Sequence, residues 1–169
     1  MGVVSGMTVA DFGSGIGDYA LPLAERVAPT GKVYAVDIHD DALLRLKHDA
    51  EKASLGTVVR IIHKDLEEEK GSGLPESSLD LVLATDILFQ MENKEQLFKE
   101  AFRVLSPGGI FALIERVTDS HVPMSPDLVV LPEKVACFAA EAGFVEEKKI
   151  ETDALHYGYL FLKPHVVNI

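Results

Sequence analysis

The chain has 169 residues, 47% of them hydrophobic and 25% charged, a balance typical of a folded protein and not of a disordered one. A net charge of −11 with scattered basic residues argues against a nucleic acid partner, because such binding replaces phosphate counterions with Lys and Arg. No apolar run approaches the roughly 20 residues of a membrane span, no signal peptide is visible and a single cysteine makes no internal disulfide, so we expect a cytoplasmic protein.

The first half of the chain alternates apolar, β-rich runs with helical patterns. We predict strands at MTVADF (7–12), KVYAVD (32–37) and TVVRIIH (57–63), and helices at DYALPLAERVA (18–28) and DDALLRLKHDAEKAS (40–54). Asp18 is expected to cap the first helix.

The second half continues this alternation and then departs from it. We predict strands at LDLVLAT (79–85), GIFALIE (109–115), VEEKKIE (145–151) and HYGYLFLK (156–163), and helices at NKEQLFKEAFRVL (93–105) and PEKVACFAAEA (132–142). The last two strands have no helix between them, and only antiparallel neighbours can be joined so directly. The pattern therefore indicates an α/β fold, a mostly parallel sheet with helices on both faces and one antiparallel hairpin.

The stretch DFGSGIGDY, at 11–19, lies between the first strand and the first helix. On an open α/β sheet this is where ligands bind, outside the carboxyl ends of the strands. Gly13, Gly15 and Gly17 would let the main chain approach a ligand closely. The alternative is a tight strand-to-helix turn with no ligand.

Asp37 ends the second strand, 20 residues beyond Gly17, where an acid can accept hydrogen bonds from ribose hydroxyls. A dinucleotide fingerprint would place glycine at the position of Asp18, whose charge opposes a pyrophosphate at the helix N-terminus. Asp11 adds a second acid beside the loop. These acids favour a ligand that carries positive charge.

Four segments together resemble the class I S-adenosylmethionine-dependent methyltransferases: the glycine loop, VYAVDI (33–38), HKD (63–65) and FRVLSPGGIFALIE (102–115). Within that superfamily the chain is similar to the small-molecule branch that includes the ubiquinone/menaquinone biosynthesis methyltransferases. The resemblance implies S-adenosyl-L-methionine as cofactor and a Rossmann-like, doubly wound, seven-stranded sheet of order 3-2-1-4-5-7-6 with strand 7 antiparallel. It covers nearly all of a predicted single domain, 1–169, which lacks the helices that usually precede the glycine strand in relatives.

The resemblance also assigns roles to particular residues. The loop residues Gly13, Ser14, Gly15 and Gly17 would contact the methionine part of the cofactor, and Asp37 the ribose. Ile38, Asp65 and Leu66 would hold the adenine, and Thr85 would lie near the methionine moiety. Asp11, beside the loop, is also a predicted cofactor-binding residue.

The acceptor side is less well specified by the sequence. Methyl transfer is an in-line displacement that depends mainly on positioning, and it needs a general base only when the acceptor arrives protonated. Asp86 is the candidate catalytic residue, with an N-cap of ILFQME as the alternative, and Tyr19 is the candidate substrate contact. His156 either points into the cleft or lies on a surface hairpin, and Cys137 is expected in the core.

The sequence predicts two alternative functions. The first is methyl transfer to a small-molecule acceptor, and the alternative is a non-catalytic methyltransferase-like domain that binds the cofactor or a partner. A nicotinamide-dependent oxidoreductase is the third possibility, and Asp18 opposes it. The dispersed histidines predict no metal site, and an open cleft predicts cover from a second copy of the chain or from a partner protein.

Overall fold

A computed structural model describes residues 2–117 and 129–165 of the chain. Its strands are β1 (Thr8–Phe12), β2 (Lys32–Asp37), β3 (Val59–His63), β4 (Leu79–Thr85), β5 (Leu105–Arg116), β6 (Val145–Ile150) and β7 (His156–Leu162). Its helices are α1 (Ala20–Val27), α2 (Asp40–Lys52), α3 (Lys94–Val104) and α4 (Pro132–Ala142), with a 3₁₀ turn at Leu88–Gln90. No helix in this part of the chain is long and apolar enough to cross a membrane.

The strands form one sheet in the order β3-β2-β1-β4-β5-β7-β6. The pairs from β3 to β5 are parallel, whereas β7 runs antiparallel to both β5 and β6. The predicted fold class, strand order and terminal hairpin are confirmed. That a single domain extends over the whole of 1–169 stays a prediction.

The core lies on both faces of the sheet because buried side chains alternate along the strands. On β1, Val9 packs on one face with Leu23 of α1 and Leu46 of α2. Phe12 packs on the other face with Phe98, which belongs to α3. With helices on both faces of the sheet, the carboxyl ends of the strands are where a ligand is expected to bind.

Two sequence expectations about the helices are wrong. Helix α1 begins at Ala20, its N-cap position is Tyr19, and no side chain caps it there, so Asp18 does not have the expected role. Cys137 is exposed, although its neighbours Val135 and Phe138 are buried, because it lies on the opposite face of α4. Helix α4 ends at Ala142 and is capped by Gly143 in the left-handed conformation, with φ +103°.

Candidate functional site

A cleft opens at the carboxyl ends of β1 to β4 and encloses about 200 Å³. Seven of the residues predicted from the sequence line it: Gly13, Gly15, Asp37, Ile38, Asp65, Leu66 and Asp86. These residues come from four separate strand ends, so the sheet order brings them together. Ligand pockets usually measure roughly 300–1,000 Å³, so a nucleoside-sized ligand would remain partly uncovered by the described residues.

The three glycines of the loop serve different purposes, although all have positive φ. A Cβ on Gly13 would lie 2.6 Å from Ile87 Cδ1, and one on Gly17 would collide with Leu46 Cδ1. A Cβ on Gly15 would meet no protein atom within 4 Å and would project into open space. Packing therefore accounts for Gly13 and Gly17, whereas Gly15 keeps space free at the cleft.

Asp37 joins the second strand to the glycine loop. Its Oδ2 accepts a hydrogen bond from the Gly15 amide at 2.8 Å, and its Oδ1 accepts one from the His39 amide at 2.9 Å. The His39 Nδ1 also lies 2.8 Å from Oδ1. Burial opposes ionisation of Asp37, but the hydrogen bonds from Gly15 and His39 keep its pKa below the ordinary value.

These contacts leave acceptor capacity on Asp37 for a ligand. A carboxylate offers about four lone-pair directions, and Gly15 and His39 occupy three of them. The open direction is on Oδ2, and movement of the exposed His39 ring would free another on Oδ1. A pair of ribose hydroxyls requires two such acceptor positions.

The residues predicted for the adenine meet on one side of the cleft. Ile38 has 53% of its surface exposed although it is a large apolar residue, and Leu66 is buried beside the same cleft. Asp65 Oδ1 accepts a hydrogen bond from the Glu67 amide at 2.8 Å, which fixes the turn after β3. Asp65 thus shapes a strand-end turn and also lines the cleft.

Four buried polar atoms lack a hydrogen-bond partner among the described residues: Asp11 Oδ2, Ser14 Oγ, Thr85 Oγ1 and Asp86 Oδ1. All four atoms belong to residues in or just beyond the carboxyl ends of the adjacent strands β1 and β4. Buried polar groups in folded proteins are nearly always paired, so an unpaired group needs an explanation. Of these four residues, Asp86 lines the cleft, and Asp11, Ser14 and Thr85 are not among its lining residues.

Asp11 is only 2% exposed, and its carboxyl is the most perturbed of these groups. Burial, followed by repulsion from Asp37, raises its pKa to about 7, and Asp18 adds to the effect. A hydrogen bond with the Ala20 amide, at the start of α1, acts in the opposite direction. A cation placed beside Asp11 would favour its ionised form.

The acceptor candidate Asp86 lies at the other end of the cleft, with φ +51°. Its Oδ2 is 3.1 Å from Arg116 Nε and 3.5 Å from His156 Nε2. The 3₁₀ turn after it has no side-chain cap, so the N-cap alternative for Asp86 is wrong.

Tyr19, the candidate substrate contact, is 43% exposed. Burial of its phenol, followed by repulsion from Asp86 and Asp11, raises its pKa.

Glu115 holds the segment after Asp86 in place. It is 3% exposed and accepts hydrogen bonds from the amides of Ile87 at 2.9 Å and Leu88 at 2.8 Å. Burial raises its pKa to about 7, against the effect of those two hydrogen bonds. The clamp fixes Ile87, which packs over Gly13 in the cleft wall.

Sequence reasoning missed several residues of this site. His39, Lys64, Glu67, Ile87, Gln90 and Met91 also line the cleft. Arg116 and Glu115 end β5, so the rule that selected the ends of the earlier strands would have selected them too. Within 2–117 and 129–165 no group of three or more His, Cys, Asp or Glu side chains is arranged to hold a metal ion.

The sequence matches the family described as "Methyltransferase domain" over residues 4–157. The chain belongs to this family. A ubiquinone/menaquinone biosynthesis C-methyltransferase of Laribacter hongkongensis is 35% identical to it over 114 residues, 68% of this chain and 45% of that protein. A sterol 24-C-methyltransferase of Aspergillus fumigatus is 32% identical over 129 residues, 75% of this chain and 33% of that protein.

This methyltransferase domain therefore spans between a third and a half of the length of these relatives. Among solved structures, an S-adenosylmethionine-dependent methyltransferase from Aquifex aeolicus aligns with a TM-score of 0.84 and 23% identity. That alignment covers 96% of this chain and 85% of the other, and it establishes the shared fold. The family resemblance predicted from the motifs is confirmed.

Proposed function

We propose that this methyltransferase domain binds S-adenosyl-L-methionine in the cleft and transfers its methyl group to a small-molecule acceptor. The unpaired polar atoms of Asp11, Ser14 and Thr85, buried where a cationic amino-acid group would lie, carry the proposal. Family membership and the quinone and sterol C-methyltransferases among the relatives support it.

The proposed orientation follows from the chemistry at the two ends of the cleft. Asp37 would hold the ribose hydroxyls, and the adenine would lie between Ile38 and Leu66 with Asp65 at its edge. The methionine part would lie toward the carboxyl ends of β1 and β4, where Asp11, Ser14 and Thr85 have buried, unpaired polar atoms next to the cleft-lining residues Gly13, Gly15 and Asp86. The bound cofactor supplies an electrophilic methyl group on a positively charged sulfur.

The chain contributes to the reaction through position and charge. Gly15 keeps the loop clear of the ligand, and Ile87 and Met91 provide an apolar wall that reduces the access of water to the cleft. Asp86 lines the cleft with its Oδ1 unpaired and would orient an acceptor, and Tyr19 remains the proposed substrate contact although it is not among the residues that line this cleft. A well-oriented displacement of this kind gains most of its rate from proximity.

Charge argues against a nicotinamide dinucleotide in this cleft. Burial raises the pKa of Asp11, and repulsion from Asp37 and Asp18 raises it further. A pyrophosphate would add two negative charges beside these acids, whereas a sulfonium and an ammonium group would relieve their repulsion.

The openness of the cleft supports the remaining proposals. A homo-oligomer or a partner protein would cover the side that the described residues leave open. A non-catalytic, cofactor-binding domain is the second candidate, since an exposed methyl group reacts poorly until the cleft is closed. We also propose a cytoplasmic protein without a nucleic acid partner, supported by the lone cysteine and the net charge of −11.

Calorimetric titration with S-adenosylhomocysteine, with NAD in a parallel cell, tests the cofactor. We expect micromolar binding of S-adenosylhomocysteine and none of NAD, and the reverse would overturn the proposal. Incubation with methyl-labelled S-adenosylmethionine and a small-molecule cell extract then tests transfer. Label in an extract compound supports the enzyme, whereas binding with no transfer favours the non-catalytic domain.

A further inference from the structure

His156 has a hydrogen-bonding environment that its position in a terminal hairpin did not suggest. Its Nδ1 lies 2.7 Å from Asp153 Oδ1, and its Nε2 lies 3.5 Å from Asp86 Oδ2. The imidazole is 22% exposed, so it lies at the border between protein and solvent. An imidazole held by a carboxylate at one nitrogen has its other nitrogen directed to a defined place.

That place is the mouth of the proposed cofactor cleft. Asp86, which faces the His156 Nε2, is a lining residue of the cleft and has its other carboxylate oxygen unpaired. Register pairs His156 with Arg116 across β5 and β7, so all three groups converge at the carboxyl end of the parallel sheet.

We propose that His156 is the general base of this methyltransferase domain, positioned by Asp153, and that the acceptor carries a weakly acidic O–H or S–H group. The proposal rests on the proposed function and specifies its substrate class. The acceptor donates its hydrogen bond to the His156 Nε2, which takes the proton, and Asp86 Oδ2 faces the imidazolium that forms.

The step balances in atoms and charge. The acceptor oxygen or sulfur forms a bond to the methyl carbon while the carbon–sulfur bond breaks, and that electron pair remains on the sulfur of the neutral thioether. The acceptor proton moves to His156, so the positive charge lost from the sulfonium appears on the imidazolium. Asp153 and Asp86 stabilise that charge through the contacts described above.

The surrounding charges set the pH dependence. Asp153 and Asp86 raise the pKa of His156, chiefly through the Asp153 hydrogen bond, while burial acts in the opposite direction. Arg116 is the cation that faces this group, and the carboxyl of Glu115 lies behind it on β5. Because the neutral imidazole is the base, methyl transfer should increase as the pH rises through this elevated pKa.

An NMR titration of the histidine imidazoles tests the placement without any acceptor. Binding of S-adenosylhomocysteine is measured first, and His156 is then titrated in the S-adenosylmethionine and S-adenosylhomocysteine complexes. The two ligands differ by one methyl group and one positive charge. If His156 faces the reacting methyl, its pKa should be lower by roughly half to one pH unit with S-adenosylmethionine bound.

The controls separate this proposal from the one on which it rests. His48, 3.7 Å from Asp49 on α2, is the internal reference, and its titration should be the same in both complexes. Identical His156 titrations in both complexes would overturn the role as base and leave the cofactor assignment intact. Failure of either ligand to bind would overturn the proposed function itself.

Activity provides the second readout once label transfer is detected. His156→Gln should reduce kcat about 100-fold or more and leave the affinity for S-adenosylhomocysteine unchanged, whereas His48→Gln should change neither. Asp153→Asn should move the pH profile to lower pH, because the carboxylate that raises the pKa of His156 is gone. An unchanged kcat in His156→Gln would contradict the proposal.

Discussion

The carboxylate of Asp37 accepts a hydrogen bond from the amide of Gly15 at 2.8 Å, so the acid that ends β2 holds the glycine loop that follows β1. The proposed ribose acid and the proposed methionine-binding loop are therefore one structural unit. A change at Asp37 affects both the ligand contact and the loop geometry.

Asp37→Ala should weaken binding of S-adenosylhomocysteine by about 1–3 kcal/mol, or roughly 5- to 150-fold, because ribose hydroxyls and the Gly15 amide lose their acceptor. Calorimetry measures this change. Asp80→Ala is the matched control, since Asp80 accepts the Thr8 amide at 2.7 Å at the opposite end of the sheet. Equal affinities of Asp37→Ala and the wild type would refute the ribose assignment.

Gly15→Ala should fold and lose cofactor affinity. Its Cβ meets no protein atom within 4 Å, so the methyl group would occupy the space proposed for the ligand and weaken binding by about 1–3 kcal/mol. Gly6→Ala is the control, because Gly6 also has positive φ and its Cβ would lie 3.4 Å from Thr30 Oγ1, away from the cleft. In both variants an alanine would adopt the left-handed backbone conformation, which should reduce the free energy of unfolding by roughly 1–2 kcal/mol. Only Gly15→Ala should bind S-adenosylhomocysteine more weakly.

Cofactor binding should release a proton from Asp11. The pKa of this carboxyl is about 7 in the free protein, and a bound cation would lower it, so about half a proton should leave at pH 7 and almost none at pH 9. Titrations in buffers of different ionisation enthalpy measure the number released. Asp11→Asn should abolish the release, and an observed enthalpy that does not depend on the buffer at pH 7 would count against a cation beside Asp11.

The stability of the free protein should decrease between about pH 5 and pH 8. Asp11 and Glu115 both have folded-state pKa values of about 7, above their ordinary values of 3.8 and 4.5, so the folded state binds more protons than the unfolded state in this range. The free energy of unfolding therefore falls as pH rises through the range and levels off above it. Isosteric Asp11→Asn and Glu115→Gln should each reduce the slope of that free energy, measured by urea denaturation.

Local patterns in the sequence were sufficient for most of the fold. Lys32–Asp37 and Leu79–Thr85 were predicted with the bounds observed, since buried parallel strands are nearly continuous apolar runs. The start of α1 was predicted two residues early, because an acidic residue ahead of an apolar helical pattern is typical of an N-cap, whereas the N-cap position is Tyr19 and no side chain caps the helix there.

The residues of the candidate site also fall into two groups, those predicted from the sequence and those seen only in the structure. Residues that bind through their place at a strand end, such as Asp37 and Asp65, were selected from the sequence and do line the cleft. The approach of His156 to Asp86 depends on the antiparallel register of β5 and β7, and they are 70 positions apart in the chain. A charge pair that depends on strand register in this way can be identified only from the three-dimensional structure.

A crystal structure of the complex with S-adenosylhomocysteine would show whether the cleft at the strand ends is the cofactor site. We expect the ribose hydroxyls within hydrogen-bonding distance of Asp37, and the amino-acid part of the ligand beside Asp11, Ser14 and Thr85, whose buried atoms would then be paired. Density for the ligand outside this cleft, or with its amino-acid part directed away from Asp11, would contradict the account.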